Sequence, residues 1–159
     1  MNRSILFVCT GNVCRSPMAE GLFRSMVAGE DGDWEICSAG IATGGGQPPS
    51  AHTLSILEEN NIDLSGNRSQ AINTELVNNA SHILAMSASH LYTLDAVFPQ
   101  AAEKTFLVTE FCTEDSIRGQ DIPDPIGGGL AAYTEVRDML METLPSIIQF
   151  ILKTPTEKQ

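Results

Sequence analysis

A short apolar run, Ile5-Leu6-Phe7-Val8, leads straight into Cys9-Thr10-Gly11-Asn12-Val13-Cys14-Arg15-Ser16-Pro17. Consecutive apolar residues closed by a loop signal read as a buried strand. Ser16-Pro17 reads as a helix start, with Ser16 as N-cap and Pro17 at the first helical position. The segment therefore predicts a strand, a loop of about half a dozen residues and a helix N-terminus. A strand that feeds directly into a helix opens an alternating α/β chain, and this restricts the fold more than any other stretch. The loop's amides and the helix dipole favour an anion. Cys9 opens the loop and Arg15 closes it, so the setting favours a thiolate and a bidentate grip on phosphate.

The rest of the chain continues the alternation. Met18, Leu22, Met26 and Val27 fall at helical spacing, with Glu20 in the first turn and Gly29 near the end. A turn at Asp31-Gly32-Asp33 precedes a second strand over residues 34–39. Residues 40–49 form a glycine-proline loop. A helix is expected over 50–60, with Ala51, Leu54 and Leu57 facing inward, then an irregular stretch at 62–69 and a short capped helix at 73–77. Residues 81–86 read as a third buried strand, 87–98 as a helix and 104–108 as a fourth strand. A polar loop spans 109–129, a length that is usually functional. From Leu130, the residues Tyr133, Val136, Leu140, Leu144, Ile147, Ile148 and Ile151 mark a long closing helix that Pro145 is expected to kink. Four strands alternating with helices imply a parallel sheet covered on both faces, with its crevice at the carboxyl ends of the strands. The Cys9 loop follows strand one and the loop carrying Asp124 follows strand four, so both emerge at one edge.

At 159 residues the chain is long enough for one domain with a core of its own, here expected over 1–153 with a frayed tail at 154–159. A net charge of -11 leaves no basic stripe for nucleic acid, so any phosphate must be met locally. The cysteines Cys9, Cys14, Cys37 and Cys112 lack a secreted disulfide pattern. No leader of the charged-then-apolar kind and no membrane-spanning run is evident, so a reducing cytoplasm is the expected compartment. His52, His82 and His90 are scattered and no Cys-x-x-Cys pair occurs, so neither metal nor cofactor is expected.

Cysteine followed six residues later by arginine is weak evidence alone, and equally describes a structural cysteine in a tight turn. The segment Val8-Cys9-Thr10-Gly11-Asn12-Val13-Cys14-Arg15-Ser16-Pro17-Met18-Ala19-Glu20, however, resembles the signature loop of the low-molecular-weight protein tyrosine phosphatases. Asp124-Pro125 resembles that family's general-acid motif, and the similarity runs over about residues 5–151. The resemblance implies a flavodoxin-like fold, a four-stranded parallel sheet of order 2-1-3-4. It also implies a cysteine-dependent protein phosphatase that works through a phosphocysteine. Cys9 would be the nucleophile, Arg15 and the amides of Thr10, Gly11, Asn12, Val13, Cys14 and Ser16 would hold phosphate, and Asp124 would act as acid and then base. Asp121 is the neighbour most easily confused with Asp124; read alone, Asp121-Ile122-Pro123-Asp124-Pro125 is a surface turn. Asn12 and Ser38 resemble positions that brace the loop, and Ser16 resembles the hydroxyl that supports the thiolate. Read alone, Ser16 is a helix cap and Ser38 a strand-end serine. Cys14 is implied as a reversible disulfide partner of Cys9, against the plainer reading of a small buried side chain. Cys37 and Cys112 are expected to be inert.

The expected partner is a phosphorylated protein, the product of a cognate protein kinase, with inorganic phosphate or other oxyanions as inhibitors and neither nucleic acid nor membrane. Tyrosine-type members resemble one another in aromatic walls after strand two and after Asp-Pro. Here those stretches are Ile41-Ala42-Thr43-Gly44-Gly45-Gly46-Gln47 and Ile126-Gly127-Gly128, without a ring. Asp124-Pro125-Ile126-Gly127-Gly128 is closer to the bacterial protein-arginine phosphatases, which typically carry threonine where Val13 stands and tyrosine-type members isoleucine. A protein tyrosine phosphatase is the first expectation and a protein-arginine phosphatase the alternative. An arsenate reductase is disfavoured, because residues 80–90 hold no cysteine and Pro17 departs from the glutamine usual there. A non-catalytic phosphate-binding module would not need Cys9, Arg15 and Asp124 together.

Overall fold

The computed structural model describes residues 2–154. Strands β1 (Asn2–Cys9), β2 (Asp33–Gly40), β3 (His82–Ala85) and β4 (Thr105–Leu107) form one parallel sheet in the order β2-β1-β3-β4. The helices are α1 (Arg15–Val27), α2 (Ala51–Glu59), α3 (Thr74–Asn79), α4 (Ala88–Val97) and α5 (Leu130–Lys153). The expected flavodoxin-like α/β architecture and strand order are those observed.

β1 lies in the middle of the sheet and is buried on both faces, so successive side chains enter different cores. Ile5, Phe7 and Cys9 join α1, α2 and α5, around Phe23, Leu57, Leu140 and Leu144. Leu6 and Val8 face the other way, toward Val77 of α3 and Leu94 of α4. The closing helix buries Tyr133, Val136, Leu140, Leu144, Ile147, Ile148 and Ile151, as the spacing predicts, and remains helical through Pro145.

Several local expectations need correction. α1 starts at Arg15 with Cys14 in the capping position and no side-chain cap, so Ser16 lies inside the helix with its hydroxyl engaged elsewhere. α2 buries Thr53, Ile56 and Leu57, while Ala51 is exposed beside the true cap, Ser50. A 3-10 turn at Pro99–Lys104 precedes β4 and was not expected. Thr154 caps the end of α5; the remainder of the expected tail, 155–159, lies outside the described residues.

The register aligns the carboxyl ends of the strands. Cys9 pairs with Gly40, Val8 with Ala85, and Ala85 with Leu107. Past the sheet edge, the Ile41 N–H donates to the Cys9 carbonyl at 2.9 Å and the Met86 N–H to the Val8 carbonyl at 3.1 Å. The Ile122 N–H then donates to the Met86 carbonyl at 2.9 Å, which ties the loop of Asp124 to the end of β3.

Candidate active site

The loop after β1 is held by a hydrogen-bond chain with a definite direction. Asn12 adopts a left-handed backbone, φ 58°, which asparagine tolerates better than most residues. Its Oδ1 accepts the Gln70 N–H at 3.0 Å, which fixes the orientation of the amide. Its Nδ2 then donates to Ser16 Oγ and to Ser38 Oγ, each at 2.9 Å. Ser38 passes its own proton to Glu20 Oε1 at 2.8 Å. Ser16 Oγ, 2.9 Å from Cys9 Sγ, is left with a proton to offer the sulfur, and the Asn12 N–H offers a second at 3.3 Å. Glu20, buried, completes its shell with Arg24 at 3.0 Å and Asn67 at 2.7 Å. Such a buried, fully paired network rigidifies what rests on it.

Of the residues expected to cradle phosphate, Asn12 thus spends its amide on the sulfur, whereas Gly11, Val13 and Cys14 donate their N–H groups to no protein acceptor among the described residues. Gly40 makes the loop's position possible: a Cβ there would lie 2.7 Å from the Thr10 carbonyl oxygen and 3.1 Å from Asn12 Cβ.

Arg15 is the first residue of α1, and its guanidinium is buried. Nη1 donates to the Ile122 carbonyl at 3.1 Å, while Nη2 lies 3.5 Å from Thr10 Oγ1 and 3.8 Å from Asp124 Oδ2. Asp124 accepts the Ile126 N–H at 3.1 Å through Oδ1, leaving Oδ2 toward the arginine, and half of its side chain is open to solvent. Asp121 is placed differently: its Oδ1 accepts the Ala88 N–H at the start of α4, at 2.8 Å. The geometry separates the two carboxylates that the sequence leaves confusable.

Cys14 is buried with its sulfur 3.3 Å from the Tyr133 hydroxyl. Burial and that contact push the Tyr133 hydroxyl's pKa up. The His52 ring packs on Tyr133 at 4.9 Å, so an aromatic pair flanks the Cys9 loop although neither rim loop contributes one. All four cysteines are free. Burial and nearby Glu20 raise the Cys37 pKa to about 11, which keeps that thiol neutral and unreactive. Glu20, Gly40, Gln70, His90 and Tyr133 were missed as site residues in the sequence. Glu20 reads there as an ordinary first-turn charge and His90 as a scattered histidine, because their partners lie far away in the chain.

A sulfur beneath unpaired amides, with a guanidinium and a carboxyl beside it, is a site built for an oxyanion next to a nucleophile. Known proteins agree with that class. The family model described as low molecular weight phosphotyrosine protein phosphatase matches residues 4–157. The chain is 39% identical over 141 residues to the protein-arginine-phosphatase of Geobacillus stearothermophilus, covering 88% of this chain and 89% of the relative. It is 31% identical over 137 residues to the low molecular weight protein-tyrosine-phosphatase Etp of Escherichia coli (strain K12), covering 86% of each. The crystal structure of a YwlE mutant from Bacillus subtilis superimposes with a TM-score of 0.86 at 34% identity, over 95% of this chain and 99% of that one. The chain belongs to the low molecular weight phosphotyrosine protein phosphatase family, a family of hydrolases.

Proposed function

We propose that this protein removes phosphate from modified protein side chains through Cys9, and that phosphoarginine is its preferred substrate. The observation that carries the reaction is Cys9 Sγ held by Ser16 and Asn12 with Arg15 and Asp124 converging on the same loop. The Cys9 thiolate attacks phosphorus, an S–P bond forms and the P–N bond breaks while Asp124 protonates the leaving nitrogen. Water then attacks the phosphocysteine, Asp124 takes its proton, and phosphate leaves with the thiolate restored. Arg15 and the free amides of Gly11, Val13 and Cys14 meet the equatorial oxygens, where charge must be matched throughout.

The rim supports the substrate choice. Beside Asp124 stands Ile126, 61% exposed, where a stacking ring would favour a phenyl ester by about 0.5–1.5 kcal/mol. The identity of 39% to an arginine phosphatase points the same way. Phosphotyrosine is the second reading, favoured by the family description and by Val13, which lacks a hydroxyl to offer a guanidinium. Turnover of matched phosphoarginine and phosphotyrosine peptides, with Cys9→Ser as control, tests both levels. We expect Cys9→Ser to lose at least about a thousandfold in kcat while still binding phosphate. Full activity in that variant would refute the nucleophile; faster phosphotyrosine turnover by the wild type would overturn the substrate choice alone.

Cys14 is proposed as the reserve thiol: peroxide converts the Cys9 thiolate to a sulfenic acid, and Cys14 displaces water to close a disulfide. With peroxide in excess, the Cys9 sulfenic acid of Cys14→Ser goes on to the irreversible sulfinic acid, so dithiol should restore the peroxide-treated wild type but not that variant; equal recovery of both would remove the role. The reaction needs a reduced thiol, and no helix among the described residues is long and apolar enough to cross a membrane. The cytoplasm is the proposed compartment, which cell fractionation checks.

A further inference from the structure

Thr10 stands exposed at the mouth of the Cys9 loop, yet its hydroxyl is held from behind. His90 Nε2 lies 2.8 Å from Thr10 Oγ1, across 80 residues of chain. The same oxygen is the neighbour of Arg15 Nη2 at 3.5 Å. His90 is buried, and its other nitrogen lies 2.9 Å from Ser87 Oγ, the cap of α4, which in turn lies 3.0 Å from Ser89 Oγ. One direction of donation that satisfies every contact has Thr10 accept from Arg15, which only donates, and give its own proton to Nε2. Nδ1–H then donates to Ser87, and Ser87 donates to Ser89. Burial and the Arg15 charge hold the imidazole neutral, its pKa down at about 4, against the opposing pull of Asp121 and Asp124. An acceptor nitrogen is therefore present near neutral pH.

The first turn of α4 also reaches the other loop. The Ala88 N–H holds Asp121 at 2.8 Å, and Ile122, the next residue, presents its carbonyl to Arg15 Nη1 at 3.1 Å. Both sides of the guanidinium are thus set by groups anchored on this one turn.

We propose that His90 is a positioning residue for the phosphatase reaction: through the Thr10 hydroxyl it fixes the edge of the Arg15 guanidinium that faces the transferring phosphate. The inference rests on the reaction proposed above. Arg15 stabilises charge in the transition state more than it retains the ground-state substrate, so loosening it lowers kcat more than it raises KM.

Two conservative replacements separate positioning from packing. The terminal amide of glutamine overlays Nε2 and keeps the Thr10 contact, whereas that of asparagine overlays Nδ1 and keeps only Ser87. With a phosphorylated peptide, His90→Ala and His90→Asn are expected to lower kcat about tenfold, with KM changed less than about threefold, and His90→Gln to recover most of the loss. Thr10→Val should match His90→Ala, and the double variant should be no worse than either, since both break one link. Thermal melts identify any variant that fails to fold, and Thr10→Val with His90→Gln then carries the test. Full kcat in His90→Ala or Thr10→Val, equal rescue by asparagine, or additive losses would overturn the inference. Inactive wild type, or active Cys9→Ser, would instead refute the reaction itself, so the two failures are distinguishable.

Discussion

The two loops that meet at Arg15 are built in opposite ways. The Cys9 loop is buried and bonded from beneath: Asn12, Ser16, Ser38 and Glu20 are each less than 5% exposed, and their hydrogen bonds form one chain beneath the sulfur. The Asp124 loop is pinned at Ile122, which is fully buried, and then opens outward. Asp124 is half exposed, Ile126 mostly so, and Gly127 takes a φ of 80° that glycine adopts without strain. The contrast fits the chemistry proposed for each loop. Charge on the transferring phosphate is best met by donors fixed beforehand, which cost no reorganisation at the moment of reaction. A group that must protonate one leaving atom and then deprotonate water gains from access to both substrate and solvent.

The largest effect that sharpens this contrast is on turnover. Asp124→Ala should lower kcat by about 10²–10⁴-fold on a phosphopeptide whose leaving group needs a proton. On an activated aryl phosphate, which leaves unaided, the loss should be under about tenfold. Steady-state kinetics on the two substrates checks this, and equal losses would remove the acid role. Because the carboxyl is exposed and its arginine contact is 3.8 Å, the same change should leave stability within about 1 kcal/mol.

Asn12→Ala should do the reverse, damaging the fold as well as the rate. It removes three hydrogen bonds, two buried and one partly buried, worth about 1 kcal/mol each, and leaves alanine in a left-handed backbone that costs about 1 kcal/mol more. A loss of about 4 kcal/mol should lower Tm by about 8–16 °C for a chain of this size. Asn12→Gly, free of the backbone strain, should lose less by about 1 kcal/mol. If calorimetry gave the Asn12 and Asp124 variants the same Tm, the division between a rigid cup and an open flap would fail.

How much of this was legible in the chain divides along the same line. The strand-loop-helix opening, the alternation of strands and helices, and the placement of Cys9, Arg15 and Asp124 at one sheet edge all follow from local pattern plus topology. What supports them does not. Asn12 finds Ser38 at a separation of 26 residues, Glu20 finds Asn67 at 47, and Thr10 finds His90 at 80. No periodicity encodes such pairs, because they form only once the sheet has set the register of its edge. Ser16 shows the competition directly: its local signal is a helix cap, but the tertiary partners Cys9 and Asn12 claim the hydroxyl. Gly40 likewise looks like the start of a flexible loop, and is required because the Cys9 loop passes too close for any side chain.

The smallest effect concerns the joint between the two loops, where His90 sits. Its pKa is about 4 in the folded protein and 6.5 as an ordinary histidine, so between those values the unfolded chain binds more protons than the native one. The contribution of this group is therefore fully present above about pH 6.5 and is lost as the pH falls toward 4. The loss should be on the order of 2 kcal/mol, less than 1.36 kcal/mol per unit over the whole window because a charged ring draws in water that relieves part of the desolvation. His82, also pushed down by burial and by Lys104, changes stability with the same sign, and the carboxylates add their own slope. The informative quantity is therefore the difference between His90→Gln and wild type, followed by urea unfolding from pH 7.5 to pH 4. That difference should move in favour of the glutamine variant as the solution is acidified, since glutamine keeps the Thr10 contact without a proton to gain. A difference independent of pH would mean that His90 titrates alike in both states, and that the joint between the rigid cup and the open flap is not the dry, Arg15-facing place its burial implies.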